Sequence, residues 1–264
     1  MRSSLLSFLG AAAALAVSLS PDRPALAQTP SAIPTSTKTP RQFTRSEPGV
    51  REAYIVSFGL FGGESVFESE ARGAAQILAK RLPRAQSLVT YNTKQGGGAT
   101  ARGLSAALNA AGAAMDPDED ILVLALTSHG SPKGLAVMAG RRSGLISPRK
   151  LRDMLAASGA RYRVVIISAC YSGIFAPVLA NPSSLVITAA AADRPSFGCE
   201  DGATWTYFGD AFYNQALRSR PRLDAAFAEA KRLVTQRERR DGYEPSNPQI
   251  AGGALVLRRI ADGH

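Results

Sequence analysis

His129 and Cys170 each stand just past the end of a short, almost wholly apolar run. The first run is Ile121-Leu122-Val123-Leu124-Ala125-Leu126, followed by Thr127-Ser128-His129-Gly130. The second is Val164-Val165-Ile166-Ile167, followed by Ser168-Ala169-Cys170-Tyr171-Ser172-Gly173. A thiol near its free pKa is mostly protonated at neutral pH, so a nucleophilic cysteine needs a nearby base or positive potential. The only other imidazole is His264 at the chain end, so if Cys170 uses a histidine base, His129 is the candidate by elimination. Gly130 lets a carbonyl approach the backbone. Its N–H and that of Cys170 can point together at a developing oxyanion. Gly173 keeps the turn after the nucleophile open. Either residue alone also reads as ordinary packing, because cysteine is a common core residue. Their placement at the ends of two apolar strands, each close to a glycine, is what favours chemistry.

The elements that must position this pair follow from the same runs. Apolar, β-branched stretches of this length, bounded by turn residues, predict buried parallel strands. In an open α/β sheet, ligands gather at the carboxyl ends of such strands. Further strands are expected at Ala53 to Phe58, Ser87 to Tyr91 and Leu185 to Ala190, with a short one at Leu135 to Met138. Ala254 to Leu257 is expected to close the sheet. Ser65 and Glu68 suggest a capping box opening a helix that runs to about Arg81. An Ala-rich helix is expected over Ala99 to Ala114, and one capped by Ser147 with Pro148 in its first position. Two more are expected over Thr206 to Ser219 and Leu223 to Arg239. This alternation predicts an α/β fold with a doubly wound, mainly parallel sheet flanked by helices on both faces.

Arg2, the apolar stretch Leu5 to Leu19 and Ala25-Leu26-Ala27 together read as a secretory signal peptide over residues 1–27. The apolar stretch is too short and interrupted for a membrane span, so no transmembrane anchor is expected after cleavage. Residues 28–50 are rich in Pro, Ser and Thr and read as a flexible linker. Residues 51–264 then form one domain with a sizeable core. The expected location is periplasmic or secreted. The formal net charge is +10, from 31 basic and 21 acidic residues. That favours contact with an anionic envelope surface or acidic substrates. Export argues against nucleic acid as a partner. Lys231, Arg232, Arg237, Arg239 and Arg240 lie on a predicted helix among Glu229 and Glu238 and read as a solvated face. Cys170 and Cys199 are the only cysteines. In an oxidising compartment they could pair, but a permanent disulfide would abolish a catalytic thiolate.

Thr127-Ser128-His129-Gly130, Ser168-Ala169-Cys170-Tyr171-Ser172-Gly173 and Ser196-Phe197-Gly198-Cys199 resemble the bacterial branch of the legumain family of cysteine peptidases. The resemblance runs from about Ala53 to about Leu257. It implies a caspase-like fold, a His129/Cys170 dyad and cleavage of peptide bonds after Asn and sometimes Asp. It also implies an oxyanion contact at the backbone of Gly130, and no metal or organic cofactor. By the same resemblance Cys199 is a structural thiol. Legumains place an Asn just after the first strand, where it orients the catalytic His, and soon afterwards an Arg in the S1 pocket. Here that loop reads Phe58-Gly59-Leu60-Phe61-Gly62-Gly63-Glu64, with neither. They also carry an acid two positions before the nucleophile, where this chain has Ser168. Ser196 and Asp210 match two further S1 positions, so Ser168, Ser196 and Asp210 are the candidate S1 residues. Asp210 reads equally as a first-turn carboxylate on a helix, and Ser196 as a turn residue.

Three functions fit these residues. The first is an exported cysteine endopeptidase acting through an acyl-enzyme. The second is a transpeptidase or ligase that resolves the same acyl-enzyme with an amine. The third is a degenerate caspase-like domain that only binds peptides. With no Arg to balance it, Asp210 is expected to disfavour an acidic P1 side chain and accept Asn or a cation. Asp210→Asn is then expected to weaken that discrimination.

Overall fold

The apolar runs are buried on both sides. Ile55, Val123, Val164, Ile166 and Ile187 face one core, whereas Val56, Leu122, Leu124, Val165 and Val186 face another. Alternate residues of a strand point to opposite faces, so a strand covered on both must be apolar throughout. The computed structural model describes residues 43–220 and 222–262. In chain order the elements begin with β1 (Ala53–Gly59), α1 (Val66–Ala79), β2 (Gln86–Thr93), β3 (Gly96–Gly97), α2 (Ala101–Ala114) and β4 (Ile121–Thr127). Next come the short strands β5 (Gly130–Ser131), β6 (Gly134–Ala139) and β7 (Arg142–Ile146), then α3 (Pro148–Ala157) and β8 (Tyr162–Ser168). A 3-10 turn (Ser172–Phe175), α4 (Ala176–Leu179) and β9 (Ser184–Thr188) follow. The chain then forms α5 (Tyr207–Gly209), a π-helical segment (Asp210–Ala216), α6 (Leu217–Ser219), α7 (Leu223–Arg240), β10 (Gln249–Gly252) and α8 (Ala254–Ala261).

The main sheet has the order β10-β9-β8-β4-β1-β2-β3. Its inner strands are parallel, and β3 and β10 run antiparallel at the two edges. One face is covered by α1, the stretch from Phe208 to Leu217, α7 and α8. The other is covered by α2, α3 and α4. The chain moves one way from β1 to β2 and the other way from β4 through β8 to β9. The topological switch therefore lies between β1 and β4, and a crevice is expected at their carboxyl ends. The small sheet β5-β6-β7 closes over that edge. It is clamped to the loop after β1 by Met138 N–H to Leu60 O and Gly62 N–H to Met138 O, both 2.9 Å.

Four expectations need correction. Ala254 to Leu257 is helix, not strand, because Gly252 and Gly253 both have positive φ and turn the chain out of the sheet. Val256 and Ile260 then bury one helical face, and the sheet edge belongs to β10. The capping box at Ser65 and Glu68 does not form. Ser65 Oγ accepts from Gly202 N–H, and Glu68 pairs with Arg72 one turn on. The helix expected from Thr206 to Ser219 is continuous but widens to π geometry in its middle. The linker reading fails over residues 43–50. Phe43 packs edge-on against Tyr54 at 5.4 Å, Ser46 N–H donates to Ala114 O, and Gly49 N–H donates to Glu119. The signal-peptide reading and residues 28–42 of the linker lie outside the described residues. Among the described residues no helix is long and apolar enough to cross a membrane.

Candidate active site

The pairing of β4 with β8 sets the geometry. Thr127 is opposite Ser168, and Ser128 N–H donates to Ser168 O at 3.1 Å just beyond. His129 and Cys170 thus lie the same two residues past a paired position on adjacent parallel strands. The two loops touch. A Cβ at Gly130 would collide with the carbonyl oxygen of Cys170, so no larger residue fits there without backbone movement. The glycine of the His-Gly pair is thus a packing requirement. Tyr171, directly after the thiol, adopts the left-handed conformation (φ 54°), rare for a bulky residue. Its N–H donates to Arg194 O at 2.8 Å, which fixes the turn.

Cys170 Sγ is held by Ser196. The Ser196 N–H donates to it at 3.3 Å, and the thiol donates to Ser196 O at 3.3 Å. The Ser196 hydroxyl is 3.9 Å away. The His129 ring packs in an edge-to-face cluster with Phe61 and Phe67, with centroids 4.7 and 5.0 Å away. Its Nε2 is 3.2 Å from Glu64 Oε2. The thiol's hydrogen bonds go to Ser196 and not to the imidazole. The two groups flank the edge rather than forming a contact pair.

The remaining S1 candidates are placed elsewhere. Ser168 is buried, and its hydroxyl hydrogen-bonds Thr206 Oγ1 at 3.0 Å, so it does not line an open pocket. Thr206 in turn donates from Oγ1 (2.7 Å) and from N–H (2.8 Å) to the carboxyl of Glu70, which is wholly buried. Burial pushes the Glu70 carboxyl pKa up. Asp210 is not uncompensated. Its carboxylate accepts from Asn214 and Gln215, each at 2.8 Å, and lies 3.6 Å from Arg237. It lines a cavity of about 390 Å³ with Tyr207, Gln215, Leu233, Arg237 and Arg240, between the π segment and α7. The balancing cation comes from α7, which sequence spacing could not show. Arg194 instead lies 3.8 Å from Glu244.

Glu64, Glu70 and Thr206 were not singled out by sequence reasoning. Glu70 carries a legible signal in retrospect. It shares the buried face of α1 with Val66, Phe67, Ala71 and Ala74, and a carboxylate at a core position of an amphipathic helix calls for a partner. Glu64 carries none beyond its place in the loop after the first strand.

Cys170 and Cys199 are both free thiols. Burial, with smaller contributions from Cys170, Glu70 and Glu64, pushes the Cys199 thiol up to about 12. It is therefore inert at neutral pH, unlike a nucleophile. Brief iodoacetamide treatment of the folded protein near neutral pH is expected to alkylate Cys170 and spare Cys199. Denaturation without reductant should then expose Cys199 as one further titratable thiol. Equal labelling of both in the folded state would refute this assignment. Among the described residues no cluster of three or more His, Cys, Asp or Glu side chains could hold a metal ion.

The sequence profile of the Peptidase C13 family, the legumain family, matches residues 100–254, more than half of the chain. No curated protein matches. Among solved structures, caspase-1 from Spodoptera frugiperda superposes with a TM-score of 0.52 at 12% identity, covering 80% of this chain and 93% of the caspase. The structure of pro-Sf-caspase-1 gives 0.51 at 13% identity, covering 82% and 96%. At that identity the likeness shows the fold alone: a caspase-like α/β fold.

Proposed function

The chain belongs to the C13 family of cysteine peptidases, and from that premise we propose that it is an exported endopeptidase acting through a Cys170/His129 dyad. Cys170 Sγ attacks the scissile carbonyl, giving its proton to His129, and forms the C–S bond of a tetrahedral adduct. The N–H groups of Gly130 and Cys170 face the developing oxyanion. His129 passes that proton to the leaving amine as the C–N bond breaks, which leaves an acyl-enzyme. It then takes a proton from the attacking water and returns it to sulfur as the C–S bond of the thioester breaks. The observation that carries this reading is the equal placement of His129 and Cys170 past a paired position of β4 and β8, with their loops in backbone contact. Export rests on the residue pattern of positions 1–27.

Ser196 is the one S1 candidate placed against the thiol. With Asp210 neutralised by Arg237, the carboxylate nearest the dyad is Glu64 on His129. An acidic P1 side chain entering beside it meets like charge. We expect cleavage after Asn or a basic residue in preference to Asp near neutral pH, and we expect Asp210→Asn to leave that ratio within about threefold. A peptide library, followed by kcat/KM on matched peptides differing only at P1, measures both. Faster cleavage after Asp than after Asn would overturn the charge argument. The reading as a whole is tested by a peptidyl acyloxymethyl ketone. A stable thioether on Cys170 together with hydrolysed peptide products supports it, whereas no adduct and no cleavage would leave a peptide-binding domain. Products joined to an added amine in excess of hydrolysis would mark a ligase.

A further inference from the structure

We propose that Glu64 is the positioning residue of the catalytic imidazole, an inference that rests on the dyad reading above. Its carboxylate accepts a hydrogen bond from His129 Nε2 at 3.2 Å. An acceptor there keeps the ring proton on Nε2 and leaves the Nδ1 lone pair as the base. Glu64 comes from the loop between β1 and α1.

The loop is built to hold that carboxylate. Just before it, Gly62 N–H is bonded to Met138 O, and a Cβ at Gly63 would press on the Phe61 ring and the Met138 methyl. Just after it, Ser65 N–H donates to Asp201 Oδ1 at 2.9 Å, and Ser65 Oγ accepts from Gly202 N–H at 2.8 Å. Backbone on both sides of Glu64 is thus tied to other parts of the chain. The imidazole also packs against the mutually touching rings of Phe61 and Phe67, so the carboxylate and the aromatic cluster both contact it.

Neighbouring charges do not draw Glu64 away. Lys94, which lines the same cleft as Glu64, is committed to Asp201 at 2.8 Å. Glu68, on the next helical turn, is committed to Arg72. The buried Glu70 is engaged with Thr206. Among the described residues no Lys or Arg lies within ion-pair distance of Glu64, whose partner is His129.

The test has a readout independent of turnover. The chain has only two histidines, so a His129→Ala variant assigns the ¹⁵N imidazole resonances of His129 directly. In wild type at low temperature we expect a low-field Hε2 resonance coupled to ¹⁵Nε2. It should be lost in Glu64→Ala and retained in Glu64→Gln, whose amide oxygen still accepts. In turnover, Glu64→Ala should lower kcat about 10- to 100-fold with KM within about threefold, and Glu64→Gln should recover most of that loss. A resonance absent from wild type, or unchanged in Glu64→Ala, would overturn the proposal, as would a loss confined to KM. If wild type cleaves nothing yet the Hε2 resonance behaves as stated, the positioning contact stands and the peptidase reading fails.

Discussion

Cys170→Ala is expected to abolish turnover, lowering kcat/KM by at least about 10⁴-fold, while the fold persists. His129→Ala should lower it by at least about 10³-fold, and the double variant should be no worse than Cys170→Ala alone. The non-additivity follows from the chemistry. Without the thiol there is no acyl-enzyme, so the imidazole has no leaving amine to protonate and no thioester to hydrolyse. Both side chains are only partly buried at the sheet edge. Truncation there opens no core cavity, and each should cost about 1 kcal/mol of stability or less. Tm by calorimetry and kcat/KM on the best library peptide separate the two effects. Wild-type activity in Cys170→Ala on every cleaved peptide would mean that the nucleophile lies elsewhere. A Tm collapse in Cys170→Ala would mean that the contacts from Ser196 to sulfur hold the turn at Tyr171 together.

The strands that place the dyad were legible because burial on both faces leaves a strong trace. Six consecutive apolar residues before Thr127 admit few readings other than a central parallel strand. The α3 boundary was legible for a local reason: Ser147 accepts from Lys150 N–H, and Pro148 sits where its missing N–H is not needed. The failures share a different physics. Ala254 to Leu257 is apolar without a decisive period, and only the two left-handed glycines before it and the neighbouring β10 decide for helix. Ser65 and Glu68 have the spacing of a capping box, but better partners reach them from Gly202 and Arg72. Of the candidate site, the placement of His129 and Cys170 at adjacent strand ends could be read from two short motifs. The groups around them could not. Glu64 is 65 residues from His129, and Glu70 is 136 from Thr206. Arg237 reaches Asp210 from another helix. Such pairs are set by tertiary packing, and nothing local in the chain announces them.

The second large effect is expected at Glu70. Its carboxyl is wholly buried, joined through Thr206 to Ser168, two residues before Cys170. Glu70→Ala would leave the N–H of Thr206 buried without an acceptor, leave its hydroxyl only Ser168 to bond, and open a void beside Thr127, at about 2–4 kcal/mol. Glu70→Gln should be tolerated far better, because its amide oxygen can still accept from Thr206 and it carries no charge to bury. The pH dependence gives the sharper test. Burial raises the Glu70 pKa in the folded state above its ordinary value. Between the ordinary and the raised value the native state holds a proton that the unfolded chain has released. The stabilisation is therefore complete below the ordinary carboxylate range and is lost as pH rises through the raised value. Glu238 is shifted upward by burial as well, so wild type alone would not isolate Glu70, but the difference between wild type and Glu70→Gln does. Unfolding free energy from urea titrations across the acidic-to-neutral range should fall with rising pH more steeply in wild type than in Glu70→Gln. Parallel curves would show that Glu70 is ionised in the folded protein and that its hydrogen bonds from Thr206 outweigh the burial of its charge.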